Sequence, residues 1–293
     1  MLNEFRQAIW DNYRRNPRRF PWRETSDPYE ILVSEIMLQQ TQTERVIPKY
    51  TAWLEAFPNA SSLAKASLPE VLRLWNGLGY NRRARFLQEA CRIVTEKSGG
   101  VFPRDPDELD ALPGIGPYTA RAVAAFAFGS PEVFIETNIR SVYIFFFFPD
   151  AEKVDDKELL PLIEQTLDRE HPREWYYALM DYGAALKKSV KNPSRRSSSY
   201  AKQSKFDGSL RQARGAILRA LISDEALTSD ETFILEDPAP EYGNKLSLSY
   251  IAEKEGIDMD RIRKAALSLC SEGLLVCEDE ICYIPDPQRR DPV

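Results

Sequence analysis

Leu109-Asp110-Ala111-Leu112-Pro113-Gly114-Ile115-Gly116-Pro117-Tyr118-Thr119-Ala120-Arg121-Ala122-Val123 reads as a helix, a tight turn and a second helix. Pro113 and the two glycines end the first helix and allow another backbone or a ligand to come close. From Tyr118 onward a helical apolar pattern resumes. The first N–H groups of that second helix lack intrahelical partners, and the helix dipole adds partial positive charge at the same place. Such a mouth suits a phosphate. A plain αα-hairpin has the same local sequence, so the hairpin alone does not decide between them.

Composition sets the bounds. At 293 residues the chain is long enough for two or three domains with proper cores. No apolar run approaches the roughly 20 residues that span a bilayer, and Phe145 to Phe148, far too short for that, are expected to be buried. Residues 1–19 alternate apolar and charged and lack a signal-peptide core. Cys91, Cys270, Cys277 and Cys282 stand in no common metal spacing, which fits a reduced, cytoplasmic setting. The net charge of −6 argues against nucleic acid until the chain is divided. Residues 210–293 hold 10 basic and 17 acidic residues, which leaves 29 and 28 in residues 1–209. Within that part, 187–205 carries seven basic residues (Lys187, Lys188, Lys191, Arg195, Arg196, Lys202, Lys205) and no acid, and Arg82, Arg83 and Arg85 form a second cluster. Patchy charge of this kind suits a DNA-facing surface on an acidic protein.

Residues 3–15 and 28–186 read as amphipathic helices with short Pro/Gly breaks and no convincing strand. Ser67-Leu68-Pro69-Glu70 looks like a helix cap with proline at an early position. The Ser/Lys/Arg stretch 189–209 reads as a loop or linker. Beyond it, helices are expected over Leu210–Ile222, Leu248–Glu255 and Met259–Glu272, with a hairpin around Glu278-Asp279. Helix, helix-turn-helix and hairpin suggest a winged helix, with Asp224 to Tyr242 as an acidic insertion.

Glu35 stands in an otherwise apolar helix, Ile31-Leu32-Val33-Ser34-Glu35-Ile36-Met37-Leu38. Facing a cleft, such a carboxyl would hold its proton near neutrality through desolvation. On an amphipathic surface it would be an ordinary glutamate, and composition does not choose.

The company kept by the hairpin does. Phe20-Pro21-Trp22-Arg23, Asp27-Pro28-Tyr29, Val33-Ser34-Glu35-Ile36-Met37-Leu38-Gln39-Gln40-Thr41-Gln42, Leu74-Trp75-Asn76-Gly77-Leu78-Gly79-Tyr80, Ile135-Glu136-Thr137-Asn138 and Leu179-Met180-Asp181-Tyr182-Gly183-Ala184 flank it in order. Over about residues 5–190 the chain resembles the base-excision DNA glycosylases of the helix-hairpin-helix type, and among them the MutY-type adenine DNA glycosylases. The resemblance implies a mainly α fold with two helical lobes and a small C-terminal winged-helix-like domain. Residues 28–136 would form the lobe with the hairpin, and 1–27 with 137–188 the second lobe. Residues 189–209 would be a basic loop and 210–293 the added domain.

It also implies roles. Glu35 would protonate the departing base, and Glu136, with Asn138 beside it, would stabilise the sugar cation. Tyr118 occupies the position where strand-cleaving members carry a Schiff-base lysine, which implies base removal without lyase chemistry. Arg23 would line the base pocket, Gln40 and Tyr80 would enter the duplex, and Thr41 and Leu78 would touch the opposite base. Gly114, Ile115, Gly116, Thr119, Lys187, Lys188, Lys191, Arg195 and Arg196 would contact the DNA backbone.

The chain departs from the pattern in three places. Similar enzymes carry Asp-Gly-Asn or Asp-Ala-Asn where this one has Glu136-Thr137-Asn138, and a displacement of about 1 Å can cost on the order of a hundredfold in rate. They place four cysteines for a [4Fe–4S] cluster after Met-Asp-x-Gly-Ala, whereas here no cysteine lies between Cys91 and Cys270, so no cluster and no metal is expected. The domain with which similar enzymes read 8-oxoguanine is not expected here, nor is its histidine, since His171 is the only one in these 293 residues. The expected partner is duplex DNA with a mismatched or damaged base, bound by a monomer, without a membrane, in the nucleoid-associated cytoplasm. Adenine opposite 8-oxoguanine or guanine is the first substrate reading. Thymine or uracil opposite guanine, and a DNA-binding protein with little catalysis, are the alternatives.

Overall fold

The computed structural model describes residues 1–203, 205–223 and 245–285; the acidic insertion expected at Asp224 to Tyr242 lies outside them. In chain order the first helices are α1 (Leu2–Arg15), α2 (Pro28–Leu38), α3 (Thr43–Ala56), α4 (Ala60–Lys65), α5 (Leu68–Trp75), α6 (Arg82–Ser98) and α7 (Pro106–Asp110). They are followed by α8 (Pro117–Phe128), α9 (Thr137–Phe147), α10 (Asp156–Thr166), α11 (Pro172–Ser189), α12 (Leu210–Ile222), α13 (Leu248–Glu255) and α14 (Met259–Ser271). Three short strands, β1 (Leu246–Ser247), β2 (Val276–Glu278) and β3 (Ile281–Tyr283), form an antiparallel sheet in the order β1-β3-β2.

The chain divides into two compact units, Met1–Gln40 with Val101–Lys202, and Thr41–Gly100 with Gln203–Val293. This grouping differs from lobe boundaries at 27/28 and 136/137. In the first unit α2 packs on α8 and α8 on α11, while α1 and α9 pack on α11. In the second, α12 packs on α5 as well as on α13 and α14, so the C-terminal elements share a unit with residues 41–100. Among the described residues no helix is long and apolar enough to cross a membrane.

Local chemistry sets the elements of the first unit. Asp27 caps α2 by accepting from the N–H groups of Tyr29 and Glu30 at 2.8 and 3.2 Å, with Pro28 at the first helical position. Tyr29 and all residues from Ile31 to Met37 are buried, so α2 is an interior helix, and Glu35 is carried inside with it. Between α7 and α8, Gly114 takes φ +74°, which a residue with a Cβ adopts only with strain, and Ile115 N–H donates to Leu112 O. Gly129 in the left-handed conformation closes α8.

Helix α11 approaches α9 more closely than any side chain would allow. A Cβ on Gly183 would lie 2.5 Å from the Asn138 carbonyl oxygen and 2.8 Å from its Cβ. Gly183→Ala should therefore push α9 away from α11. The overpacking cost, about 3 kcal/mol, exceeds the gain of about 1 kcal/mol in helix propensity. A lowered urea midpoint corresponding to about 2 kcal/mol is expected; an unchanged midpoint would mean that the two helices are not in backbone contact.

Two expectations are corrected, and a third, the loop or linker at 189–209, gains detail. Phe145 is exposed and Phe146 to Phe148 only half-buried, because four consecutive residues at the C-terminal end of α9 point in different directions around it. The segment after α11 is not a plain linker: Val154 and Ser197 form a bridge, Pro193, Ser194 and Ser197 are buried, and a short 3₁₀ turn spans Pro193–Arg196. Cys277 and Cys282 are joined in a disulfide, since the turn at Asp279-Glu280 places them opposite each other on β2 and β3. In the second unit the capping box of α5 forms as the sequence predicts: Ser67 Oγ accepts from Glu70 N–H, and Glu70 Oε2 accepts from Ser67 N–H at 2.8 Å.

Candidate active site

Glu35 and Tyr118, 83 residues apart, meet because α2 and α8 pack together: Tyr118 OH donates to Glu35 Oε2 at 2.9 Å. Glu35 is only 7% exposed. Burial pushes its carboxyl up to about 7, the negative charge of Glu136 adds to that, and the Tyr118 hydroxyl and the Arg23 charge act in the opposite direction. Burial also raises the Tyr118 phenol, so it stays a neutral donor. The site therefore holds a carboxylic acid that can give up a proton near neutral pH. This is the position that the resemblance gives to the base-protonating acid.

Glu136 caps α9. Its Oε1 accepts from the N–H groups of Asn138 and Ile139 at 2.6 and 2.8 Å, and its Oε2 accepts from Asn138 Nδ2 at 3.2 Å. Burial raises this carboxyl, while the Ile139 N–H, the charge of Lys187, the Asn138 N–H and Arg140 lower it. Capping fixes Glu136, and its charge is felt at both Glu35 and Tyr118. A capping role and a place beside the buried acid are thus combined in one side chain.

Arg23 is buried in an ion cluster. It donates to both Asp181 oxygens at 2.8 and 3.0 Å, and Arg18 donates to Asp181 Oδ1 at 2.6 Å. Its guanidinium lies 4.3 Å from the Tyr177 ring centroid. The Met180-Asp181-Tyr182-Gly183 block thus holds Arg23 through Asp181 and admits α9 through Gly183. Neither Asp181 nor Tyr177 is among the site residues that the sequence marks out; the block that holds Asp181 is its signal, and Tyr177 has none.

At the hairpin, Gly116 precedes α8 without a side-chain cap, and a Cβ there would meet nothing within 4 Å. The mouth of α8 is thus open to an approaching group. Ile115 and Thr119 are buried, and the Thr119 hydroxyl accepts from Gln39 Nε2 at 3.3 Å, tying the end of α2 to the start of α8. Of the basic run, Lys188, Lys191 and Arg195 are exposed. Arg196 instead donates to the carbonyls of Phe148, Pro149 and Ala151 at 2.7 to 2.9 Å, pinning the turn that follows α9. Lys187 donates to Asn138 Oδ1 at 2.8 Å. The buried Ser194 and Ser197 and the hydrogen-bonded Asn192 fill the stretch where a cluster would stand, and they offer no ligand to iron. Among the described residues no group of three His, Cys, Asp or Glu is placed to hold a metal ion.

Gln40 and Tyr80, in separate units, are two of the few non-glycine residues at positive φ, +55° and +48°. Strain of this kind persists only where the surroundings enforce it. Tyr80 is 40% exposed at the end of the turn that contains Gly77 and Gly79. Trp75 Nε1 and Arg83 Nη2 both donate to Gly79 O at 3.0 Å, and the Tyr80 hydroxyl accepts from Gln203 at 3.0 Å and Arg211 at 3.3 Å. Leu78 is buried beneath this turn, and Thr41 is half-buried beside Arg83.

The profile of the HhH-GPD superfamily of base excision DNA repair proteins matches residues 33–170. The chain is 37% identical over 184 residues to the adenine DNA glycosylase of Buchnera aphidicola subsp. Baizongia pistaciae (strain Bp), a match covering 62% of this chain and 52% of that protein. It is 38% identical over 197 residues to the adenine DNA glycosylase of Homo sapiens, covering 63% of this chain and 36% of that protein. The chain thus spans about half or less of the length of these curated relatives. Among solved structures it is similar to a thermostable thymine-DNA glycosylase at 30% identity and a TM-score of 0.59, over 65% of this chain and 91% of that one.

Proposed function

Since this chain belongs to the HhH-GPD superfamily of base excision DNA repair proteins, we propose that it hydrolyses the N-glycosidic bond of an adenine flipped out of duplex DNA. The observation that carries this reading is the buried Glu35, hydrogen-bonded to Tyr118 and held near neutrality beside Glu136. An extruded adenine gives its ring nitrogens to an acid in a dry pocket. Glu35 transfers its proton to the base as the bond to C1′ breaks and the bonding electrons leave with the base. The carboxylate of Glu136 stabilises the resulting sugar cation, and a water adds at C1′ and loses a proton. Tyr118 has no amine with which to form an imine, so the reaction stops at base removal.

DNA would be held by the open mouth of α8 at Gly114 to Gly116 and by the exposed Lys188, Lys191 and Arg195. The strained, exposed Gln40 and Tyr80 are the residues suited to enter the stack. We read the enzyme as a monomer working in the nucleoid without an iron–sulfur cluster, and residues 210–293 as a winged-helix-like module. Iron analysis of the purified protein should return none.

Adenine is favoured by relatives 37 and 38% identical that carry adenine in their names. A thymine reading is motivated by the thymine-DNA glycosylase neighbour. Four duplexes separate the two: A opposite 8-oxoguanine, A opposite G, T opposite G and U opposite G, each scored for free base by mass spectrometry. Adenine release from the first two is expected. Release of thymine or uracil alone would replace the substrate, and no release from any duplex would leave a binding protein.

A further inference from the structure

Lys187 opens the basic run, yet it is half-buried where Lys188, Lys191 and Arg195 are exposed. Gly183 brings α11 against the backbone of Asn138, and Lys187 lies four residues later on the same helix face. From there its Nζ reaches Asn138 Oδ1 at 2.8 Å. Lysine offers only donors, so Asn138 must present its carbonyl oxygen to Lys187 and its NH₂ to Glu136. That is the arrangement found, with Asn138 Nδ2 donating to Glu136 Oε2 at 3.2 Å. The Asn138 amide is thus oriented at one end by a cation and at the other by a carboxylate.

Charge balance points the same way. The site holds two carboxyls, and they need opposite protonation states, which like charges in a buried site tend to favour for whichever gains more from its surroundings. The groups facing Glu136 are the N–H groups of Ile139 and Asn138, Lys187 from α11 and Arg140 from α9, together with Glu35 from α2 and Tyr118 from α8, both of which feel its charge. Those facing Glu35 are Tyr118 from α8, Arg23 from the turn before α2, and Glu136 itself. Arg18 faces Lys187 in turn. Lys187 and Arg140 are therefore the cations beside Glu136, and Arg140 is already engaged by Asp156 at 2.7 and 2.8 Å.

We propose that Lys187 is a positioning residue of this site, which orients the Asn138 amide and through its charge keeps Glu136 ionised while Glu35 carries a proton. The consequence for catalysis rests on the glycosylase reading above; the effect on Glu136 does not. Burial, which lowers the Lys187 ammonium, is the cost of placing it there, and Glu136 offsets it.

The test labels the glutamate carboxyl carbons of the full chain with ¹³C and follows their titration by NMR, with the Glu136 signal assigned by its loss in Glu136→Gln. Lys187→Met and Lys187→Gln, the second of which retains a donor for Asn138, should each raise the Glu136 midpoint by about one pH unit or more. Lys187→Arg, which retains the charge, should leave the midpoint where the wild type has it. Single-turnover adenine release by Lys187→Met should be about tenfold slower than that of wild type at pH 6, the deficit relative to wild type at the same pH narrowing as the pH rises, with the salt dependence of duplex binding unchanged. An unmoved Glu136 titration in both neutral variants would overturn the proposal. So would a salt slope shallower by about 0.9 with an unmoved titration, the mark of a plain phosphate contact. If the wild type releases no base while the Glu136 titration still moves, the glycosylase reading fails and the assignment of Lys187 stands.

Discussion

Glu35→Gln is expected to lower single-turnover adenine release by about a thousandfold, within the range that a general acid contributes. Duplex affinity should stay within about twofold. The amide fills the same space and can still accept from Tyr118 OH, which donates to Glu35 at 2.9 Å in the wild type. What it lacks is the proton for the departing base. Release and binding have to be measured on the same preparation, because a misfolded variant would lose both. Activity within a few-fold of wild type would remove Glu35 from the role of acid.

The same substitution should make the protein more stable at high pH. The folded-state carboxyl of Glu35 is raised from 4.5 to about 7. Its favourable contribution is therefore fully present below about 4.5 and is lost as the pH rises through about 7. At 1.36 kcal/mol per pKa unit, an ionised Glu35 costs the fold about 3 kcal/mol at pH 8.5. Glutamine carries no such penalty. Urea melts of Glu35→Gln and wild type should differ by about that amount at pH 8.5 and converge near pH 4.5. A difference independent of pH would mean that Glu35 is not desolvated. The trade of stability for chemistry would then have no basis at this residue.

Many of the helix boundaries in both units are legible in the sequence because their signals are local. Asp27-Pro28 starts α2, Pro113 to Gly116 separate α7 from α8, and Ser67 with Glu70 closes a capping box, each within four residues. The three C-terminal helices and the hairpin are placed by the same kind of signal. Glu35 stands out by its apolar neighbours, but a role for it, as for Glu136, comes only through the resemblance. What a linear reading could not supply is partnership at a distance. Lys187 and Arg196 look alike in a basic run, yet one turns to Asn138 and the other to carbonyls of the turn after α9. The decisive feature is Gly183, whose missing Cβ lets α11 touch α9, and nothing in a single sequence distinguishes it from an ordinary helical glycine. The disulfide between Cys277 and Cys282 depends on hairpin register, and the grouping of 41–100 with the C-terminal elements depends on the packing of α12 on α5. Neither leaves a trace in spacing.

The central claim is that a buried Glu35, poised near neutrality, delivers the proton that releases adenine. Its most direct test is the pH dependence of single-turnover adenine release from a duplex with A opposite 8-oxoguanine. The rate should fall tenfold per pH unit once the pH passes about 7, the value to which Glu35 is raised. In Glu35→Gln this alkaline limb should vanish along with nearly all the activity. A wild-type rate that stays flat from pH 6 to about pH 9, or a limb that survives in Glu35→Gln, would contradict the account.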